Sequence, residues 1–251
     1  MYGFLLREDH YFPVPLSESL PRLEAPYSDQ LFYHEQLDWL IASSHGKKWT
    51  WNETRPDIII GFAPNHSAYS LATSLAIYFS LWADVKGKGS VVPFPGTMKS
   101  WTAKHNEAGS DMTARQTIYL SLHPDTCGQG HAFNVASSPQ WETWETKWPL
   151  LCQYFGLQGA PPGPASKEVR TYINDHLSQW RSMEKKYGLR SDIVESEITV
   201  PGFEILHLEL ADFDRQYDMS KIQHVGFAQD SSIMDTWATT FDRMRRARMI
   251  P

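Results

Sequence analysis

The sequence predicts an α/β fold, in which short apolar strands alternate with amphipathic helices. Three observations support this prediction. The apolar run at Ile58–Ile60 is typical of a fully buried strand. Apolar residues recur at helical spacing in the segments around it, and glycine and proline separate these segments. The length of 251 residues fits a single large domain, with a possible internal boundary in the Gly/Pro-rich stretch 156–164.

The first half of the chain is expected to hold three helices and two strands. After a proline-rich segment of 28 residues, Ser28 or Asp29 can cap a helix whose apolar residues repeat at helical spacing. The predicted buried face of this helix consists of Tyr33, Leu37, Leu40 and Ile41. Next come a strand at 49–55 that continues through Ile58–Ile60, a helix at 69–85, a strand at 91–94, and a helix at 111–122 capped by Ser110.

The second half is expected to hold one strand and three helices. The strand lies at 132–135, and the first helix lies at 144–155. A long amphipathic helix then ends at Gly188, and its apolar positions are Val169, Ile173, Leu177 and Trp180. The last helix covers 232–248, and the four arginines in its final turns suit the negative end of a helix dipole.

Charge and composition exclude several classes of protein. The formal net charge of −6 argues against a broad nucleic-acid-binding surface, because phosphate binding needs clustered lysine and arginine. No apolar run approaches the length of about 20 residues that a membrane span needs. The N-terminus has no basic region before its apolar stretch, and the two cysteines cannot form a disulfide framework. We therefore expect a cytoplasmic protein that binds neither nucleic acid nor membrane.

Most motifs of catalysis and cofactor binding are missing from the sequence. It has no Gly-x-Gly-x-x-Gly turn, no phosphate-binding loop, no His-Glu-x-x-His and no Gly-x-Ser-x-Gly. One catalytic spacing is present, the Tyr-x-x-x-Lys formed by Tyr217 and Lys221. On a helix this spacing would place the phenol beside the ammonium group and favour proton donation. With eleven tyrosines in the chain, the spacing also arises easily by chance.

A series of short motifs resembles the progesterone 5-beta-reductase/iridoid synthase-like branch of the extended short-chain dehydrogenases. The most specific is Arg-Pro-Asp-Ile-Ile-Ile-Gly-Phe-Ala-Pro at 55–64. The others follow in the family's order: Pro-Arg-Leu at 21–23, Phe-Tyr-His-Glu at 32–35, Phe-Pro-Gly at 94–96, Ala-Phe-Asn at 132–134 and Met-Ile-Pro at 249–251. The resemblance runs along nearly the whole chain and is strongest to fungal members. It implies a truncated Rossmann-like domain with a helical, substrate-binding C-terminal portion.

The resemblance also implies a reaction, namely reduction of an activated enone by NADPH. Met1 aligns just after the family's catalytic lysine, so the family's glycine-rich turn and ribose-selecting residue have no counterpart in this sequence. We therefore expect no cofactor. The resulting hypothesis is a cofactor-independent cyclase or isomerase of fungal natural-product biosynthesis, such as a Diels–Alder-type pericyclase acting on a terpenoid or polyketide. The alternatives are an NADPH-dependent enone reductase whose N-terminal half is missing here, and a non-catalytic ligand-binding pseudoenzyme.

The resemblance assigns candidate site residues by position. The family's active-site tyrosine matches Tyr33, or His34 if the second position of the motif is the functional one. The segments that build the family's substrate pocket correspond to candidate wall residues for a small hydrophobic substrate. These are His66, Ser70, Phe94, Met98, Trp101, Phe213 and Tyr217. Each aromatic residue is equally compatible with a place in the core. A sheet without its first strands exposes an edge, which predicts either a homo-oligomer or coverage by the first 28 residues.

Overall fold

The computed structural model describes residues 12–26, 28–64, 67, 69–194 and 203–251. The chain forms two compact units, each built from three separate segments. Unit 1 comprises residues 1–58, 106–140 and 215–230, and unit 2 comprises residues 59–105, 141–214 and 231–251. The Gly/Pro-rich stretch 156–164 lies inside unit 2. Within the described ranges, no helix has the length and apolar character that a membrane span requires.

Helices and short strands alternate along the chain. The strands are β1 (Asn52–Pro56), β2 (Ile58–Ile60), β3 (Val91–Pro93), β4 (Glu107–Gly109), β5 (His131–Val135) and β6 (Gln158–Ala160). The helices up to Tyr187 are α1 (Phe32–Ser44), α2 (Leu71–Lys86), α3 (Met98–Thr102), α4 (Ser110–Leu122), α5 (Pro124–Cys127), α6 (Trp144–Tyr154), α7 (Val169–Asp175) and α8 (Leu177–Tyr187). The remaining helices are α9 (Phe203–Ile205), α10 (Ser220–His224) and α11 (Ile233–Arg246). A π-helix, Leu206–Leu210, follows α9 directly, and residues 203–210 together are called the π segment below.

Unit 1 is organised around the parallel pair of β1 and β5, in which Asn52 faces His131 and Pro56 faces Val135. The buried side chain of Asn134 joins two further segments to this pair. Its Nδ2 atom donates hydrogen bonds to the carbonyl oxygens of Leu16, at 2.8 Å, and Asp218, at 3.0 Å. Asn134 thereby holds the segments around Leu16 and Asp218, which are far apart in the sequence, beside β5.

Unit 2 contains the parallel pair of β3 and β6 and a helical, aromatic core. Every residue of α2 from Leu71 to Trp82 is buried, so this helix runs through the middle of the unit. The Phe79 ring lies 4.8 Å from the Trp148 ring, measured between centroids. The indole N–H of Trp148 donates to the Val92 carbonyl oxygen at 2.9 Å, which fastens α6 to β3.

The predicted buried face of α1 is only partly confirmed, because Leu37 and Leu40 are half-buried. In α1 only His34 is buried, whereas Tyr33 is 36% exposed and Ile41 is 52% exposed. Helical spacing correctly places the apolar residues on one side of the helix, but it does not guarantee that another element covers that side.

Other boundaries also differ from the prediction. The long helix is interrupted at His176, whose backbone (φ −118°, ψ 24°) leaves the helical region between α7 and α8. Ser110 is the first residue of α4 and not its cap, since Gly109 occupies the cap position. The strand expected from residue 49 begins at Asn52. The helices expected at 69–85, 144–155 and 232–248 are confirmed as α2, α6 and α11.

Candidate functional site

Tyr33 and His34 are adjacent on α1 but have different surroundings. Tyr33 is 36% exposed, and its hydroxyl makes no hydrogen bond with the described residues. His34 is 6% exposed, and its Nε2 atom is buried without a partner in the same part of the chain. Burial lowers the pKa of His34, and the positive charge of Arg22 lowers it further. Of the two side chains, therefore, Tyr33 is the one that a ligand in solution can reach.

In unit 2 the structure brings together two of the predicted wall residues. The Phe94 and Trp101 rings are both buried, and their centroids lie 5.1 Å apart. Trp101 is held by α3, whose first turn is fixed by a capping box between Thr97 and Ser100. Met98 lies on the same short helix but is 58% exposed. We call Phe94, Trp101 and the turn between them the aromatic wall.

The π segment packs against the aromatic wall, and no pattern in the sequence predicted this contact. The Ser100 hydroxyl donates to the Leu208 carbonyl oxygen. A Cβ atom at Gly96 would lie 1.8 Å from that same oxygen, so only glycine allows the two backbones to approach so closely. The indole N–H of Trp144 donates to the His207 carbonyl oxygen at 3.2 Å. Because π-helices are rare and often occur at functional sites, this contact strengthens the assignment of a site here.

Two of the remaining predicted wall residues, Ser70 and Phe213, lie in unit 2. The Ser70 hydroxyl caps α2 by accepting a hydrogen bond from the Thr73 amide at 3.2 Å, which gives Ser70 a structural role. Phe213 is half-buried just after the π segment. His66 lies outside the described residues.

Tyr217 lies in unit 1 and is buried. Its amide donates to Asn106 Oδ1 at 2.8 Å, and it precedes α10. The Tyr-x-x-x-Lys spacing therefore does not lie on one helix, and the expected helical placement of phenol beside ammonium is wrong. The Lys221 Nζ atom lies instead 4.9 Å from the centre of the Phe133 ring. The candidate residues are thus divided, with Tyr33, His34 and Tyr217 in unit 1 and the other described ones in unit 2.

A buried polar cluster in unit 2 was missed by the sequence analysis. Lys147 is 1% exposed, and its Nζ atom lies 3.0 Å from His105 Nε2 and 3.7 Å from Glu142 Oε1. The same ammonium group lies 4.1 Å from the centre of the Trp144 ring. The available signal was a lysine directly beside Trp148 in a helix that is otherwise apolar on that face.

The described residues do not offer the pyrophosphate site that NADPH needs, which combines a glycine-rich turn with free N–H groups at a helix N-terminus. The first turns of α2, α6 and α11 are capped by the side chains of Ser70, Thr143 and Ser232. The first turns of α1 and α4 carry Glu35 and Asp111, whose charges oppose a phosphate. We therefore assign nucleotide binding to none of the first turns of these five helices.

Comparison with known proteins places this arrangement in a family. Residues 1–251 match the PRISE-like Rossmann-fold domain. The chain is 34% identical to the short-chain dehydrogenase sirR of Leptosphaeria maculans, over 97% of this chain and 62% of that protein. It is 32% identical to sirQ of the same fungus, over 100% of this chain and 63% of that protein. It is also 30% identical to a 3-oxo-Δ4,5-steroid 5-beta-reductase of Arabidopsis thaliana, over 57% of this chain and 34% of the enzyme.

A solved structure supports the same fold. The UDP-glucose 4-epimerase of Thermotoga maritima superposes with a TM-score of 0.52 at 12% identity, over 94% of this chain and 59% of the epimerase. The chain spans about three fifths of the length of the fungal relatives. The family and the Rossmann-type α/β fold expected from the sequence are confirmed. This chain belongs to the PRISE-like Rossmann-fold family, and its fungal relatives sirR and sirQ are named short-chain dehydrogenases.

Proposed function

We propose that this chain forms the substrate-binding part of a short-chain dehydrogenase, and that Tyr33 binds the carbonyl oxygen of a small, largely apolar enone. The names of the relatives support this reading, since the fungal proteins are dehydrogenases and the plant relative is a reductase of a 3-oxo steroid. The assignment to this chain concerns the organic substrate and not the nucleotide, because the residues that the structure describes do not offer a pyrophosphate site.

The observation that carries the proposal is the availability of the Tyr33 hydroxyl. Its side chain is 36% exposed and makes no hydrogen bond with the described residues, so the phenol can donate to a ligand oxygen without losing a protein partner. Donation to a carbonyl oxygen stabilises the negative charge that develops there during reduction. His34 is the weaker donor, since it is buried and burial favours its neutral form.

The aromatic wall adds no support to this proposal. Phe94 is 0% exposed and Trp101 is 4% exposed, so both rings belong to the core of unit 2 and neither is open to a ligand. The apolar character of the proposed substrate rests on the name of the plant relative, a reductase of a 3-oxo steroid.

A pair of matched steroids tests the Tyr33 assignment. We expect progesterone, a 4-en-3-one, to bind the purified chain more tightly than its analogue without the 3-oxo group, measured by calorimetry. The preference should be about tenfold, the value of one hydrogen bond of roughly 1.4 kcal/mol. Tyr33→Phe should remove the preference, and Tyr187→Phe, at another exposed tyrosine, should retain it. Equal binding of the two steroids by the unmodified chain would exclude this role for Tyr33.

The second candidate is the cofactor-independent cyclisation expected from the sequence. It is favoured by the lack of a pyrophosphate site among the described residues. An aromatic pocket with one hydrogen-bond donor can accelerate an isomerisation or a cyclisation by orienting a flexible substrate and polarising its carbonyl. This hypothesis stays a prediction for a terpenoid or polyketide intermediate.

Product mass separates the candidates. A reduced product is heavier than its substrate by two hydrogen atoms and requires NADPH, whereas a cyclised product keeps the substrate's mass and forms without nucleotide.

NADPH at 100 times its dissociation constant should stabilise a protein that binds it by about 2.7 kcal/mol. Such stabilisation of this chain would contradict the cofactor-independent reading. Ligand binding without turnover under either condition would favour the pseudoenzyme alternative.

A further inference from the structure

Glu204 is a buried carboxyl group with no assigned role. It lies in the π segment of unit 2 and is 1% exposed. Within the described ranges, neither carboxyl oxygen has a hydrogen-bond partner on another residue. Buried carboxyl groups are normally paired or hydrogen-bonded, because an isolated negative charge is costly in an apolar environment. A carboxyl group in this position is therefore stabilised by carrying a proton.

The groups around Glu204 reinforce this preference. Burial is the largest cause of its raised pKa, and the negative charges of Glu168 and Glu209 raise the pKa further. Arg170 and the backbone N–H of Glu204 itself act in the opposite direction. The Glu209 pKa is also raised, by burial and by Glu168.

Among the elements packed on the π segment, α3 carries one basic residue, Lys99, whose side chain is 73% exposed and whose Nζ atom lies 4.0 Å from Asp212 Oδ2. The Glu168 carboxylate caps α7 by accepting from the Thr171 amide at 3.3 Å, and its Oε1 atom is buried without a partner in the described part of the chain. Between Leu71 and Trp82, α2 contains no charged residue. The π segment itself carries His207 as its only other titratable side chain in addition to Glu209.

We propose that Glu204 is a proton-binding group that couples pH to the packing of the π segment on α2. When Glu204 is protonated, a neutral group occupies the buried position and the segment packs tightly. When Glu204 ionises, an unpaired charge is buried among two like charges, and the segment loosens. Because Leu208 of the same segment contacts Gly96, loosening also releases the backbone that supports the aromatic wall. The proposal is independent of the reaction that the enzyme performs.

The direction of the pH dependence follows from the raised pKa. In the unfolded chain a glutamate ionises near pH 4.3. Between this value and the higher pKa of the folded state, the folded protein holds a proton that the unfolded chain has lost. The stability contributed by Glu204 therefore decreases as pH rises through this window, and it stays low above the pKa of the folded state.

Glu204→Gln tests the coupling, because glutamine has the same shape and does not ionise. At pH 8 we expect the variant to melt at least about 2 °C above the unmodified protein, and we expect the difference to disappear near pH 4.5. Amide hydrogen exchange within residues 204–210 should be slower in the variant than in the unmodified protein at pH 8. The control Glu24→Gln, at an exposed glutamate, should change neither measurement.

Three results would overturn the proposal: a melting difference independent of pH, a variant less stable than the unmodified protein or unable to fold, or equal effects of Glu24→Gln. A second measurement does not depend on any variant's folding. The side-chain carboxyl ¹³C resonance of Glu204 in the unmodified protein should titrate above the ordinary glutamate value. An ordinary titration would contradict the proton-binding site directly.

Discussion

The Lys147 Nζ atom lies 3.0 Å from His105 Nε2, and both side chains are 1% exposed. The other ring nitrogen, His105 Nδ1, lies 3.1 Å from the Ala103 carbonyl oxygen. A carbonyl oxygen only accepts, so Nδ1 carries the hydrogen and Nε2 accepts from the lysine ammonium. His105 thus accepts from Lys147 and orients its side chain, and the Glu142 carboxylate lies 3.7 Å from the same Nζ atom.

Lys147→Met should destabilise unit 2 by about 3 kcal/mol, since removing one partner of a buried ion pair leaves the other uncompensated. Methionine retains the apolar stem, so the loss reports the charge and its hydrogen bonds. Urea denaturation followed by tryptophan fluorescence measures the change. The double variant Lys147→Met/Glu142→Gln should recover part of the loss. Equal losses of stability in the single and the double variant would contradict a stabilising pairing of Lys147 with Glu142.

Gly96→Ala should be severely destabilising, although alanine is usually a mild substitution. The added Cβ would lie 1.8 Å from the Leu208 carbonyl oxygen and 2.5 Å from the Phe94 ring, so backbone must move. We expect the free energy of unfolding to fall by at least about 2 kcal/mol, which is within the range for overpacked cores. Gly163→Ala is the matched control, because nothing lies within 4 Å of its Cβ position. Similar melting temperatures for the two variants would mean that the π segment does not approach Gly96.

Two substitutions at Ser70 distinguish a helix cap from a substrate-binding group. Ser70→Ala should cost about 1 kcal/mol of stability, the usual value of an N-cap. Ser70→Asp should retain the cap, since the carboxylate also accepts from the Thr73 amide. Thermal unfolding and steroid affinity should be measured on both variants. A change in affinity at constant stability would restore the wall assignment made from the sequence.

The exposed face of α1 tests the predicted homo-oligomer. Trp39 is 70% exposed and Phe32 is 57% exposed, and their spacing of seven residues places both large apolar side chains on one face of the helix. We expect the unmodified chain to self-associate in sedimentation-velocity experiments, and Trp39→Lys to shift it toward the monomer. The control Trp141→Lys changes another exposed tryptophan, outside α1. A chain that is monomeric throughout would contradict the predicted oligomer.

The sequence predicted most elements of the fold because their signals are local. Strong apolar periodicity identified α2, α6 and α11, and the motif at 55–64 identified the family. The interruption at His176 could not be seen, since Val169, Ile173, Leu177 and Trp180 keep the same spacing across the break. The exposure of Tyr33 could not be seen either, because a pattern does not specify which neighbour covers a face.

The candidate site was predicted less completely. Phe94 and Trp101 are close in sequence and their rings are in contact, but their place in a substrate wall stays a prediction. The contact of Gly96 with Leu208, the pairing of Lys147 with His105 and the burial of Glu204 all join distant segments. Such contacts depend on tertiary packing, and no periodic pattern or motif in the sequence indicates them.

The interleaved segments of the two units have a consequence for synthesis on the ribosome. Unit 1 includes residues 215–230, and unit 2 includes residues 231–251, so neither unit is complete until nearly the whole chain has emerged. The backbone groups of β1 also cannot pair with β5 until β5, about 80 residues later in the sequence, has been synthesised. During that interval its open edge and the apolar helix α1 are accessible to other nascent chains. Efficient production of this protein should therefore depend on chaperones that bind early, before the last helix is made.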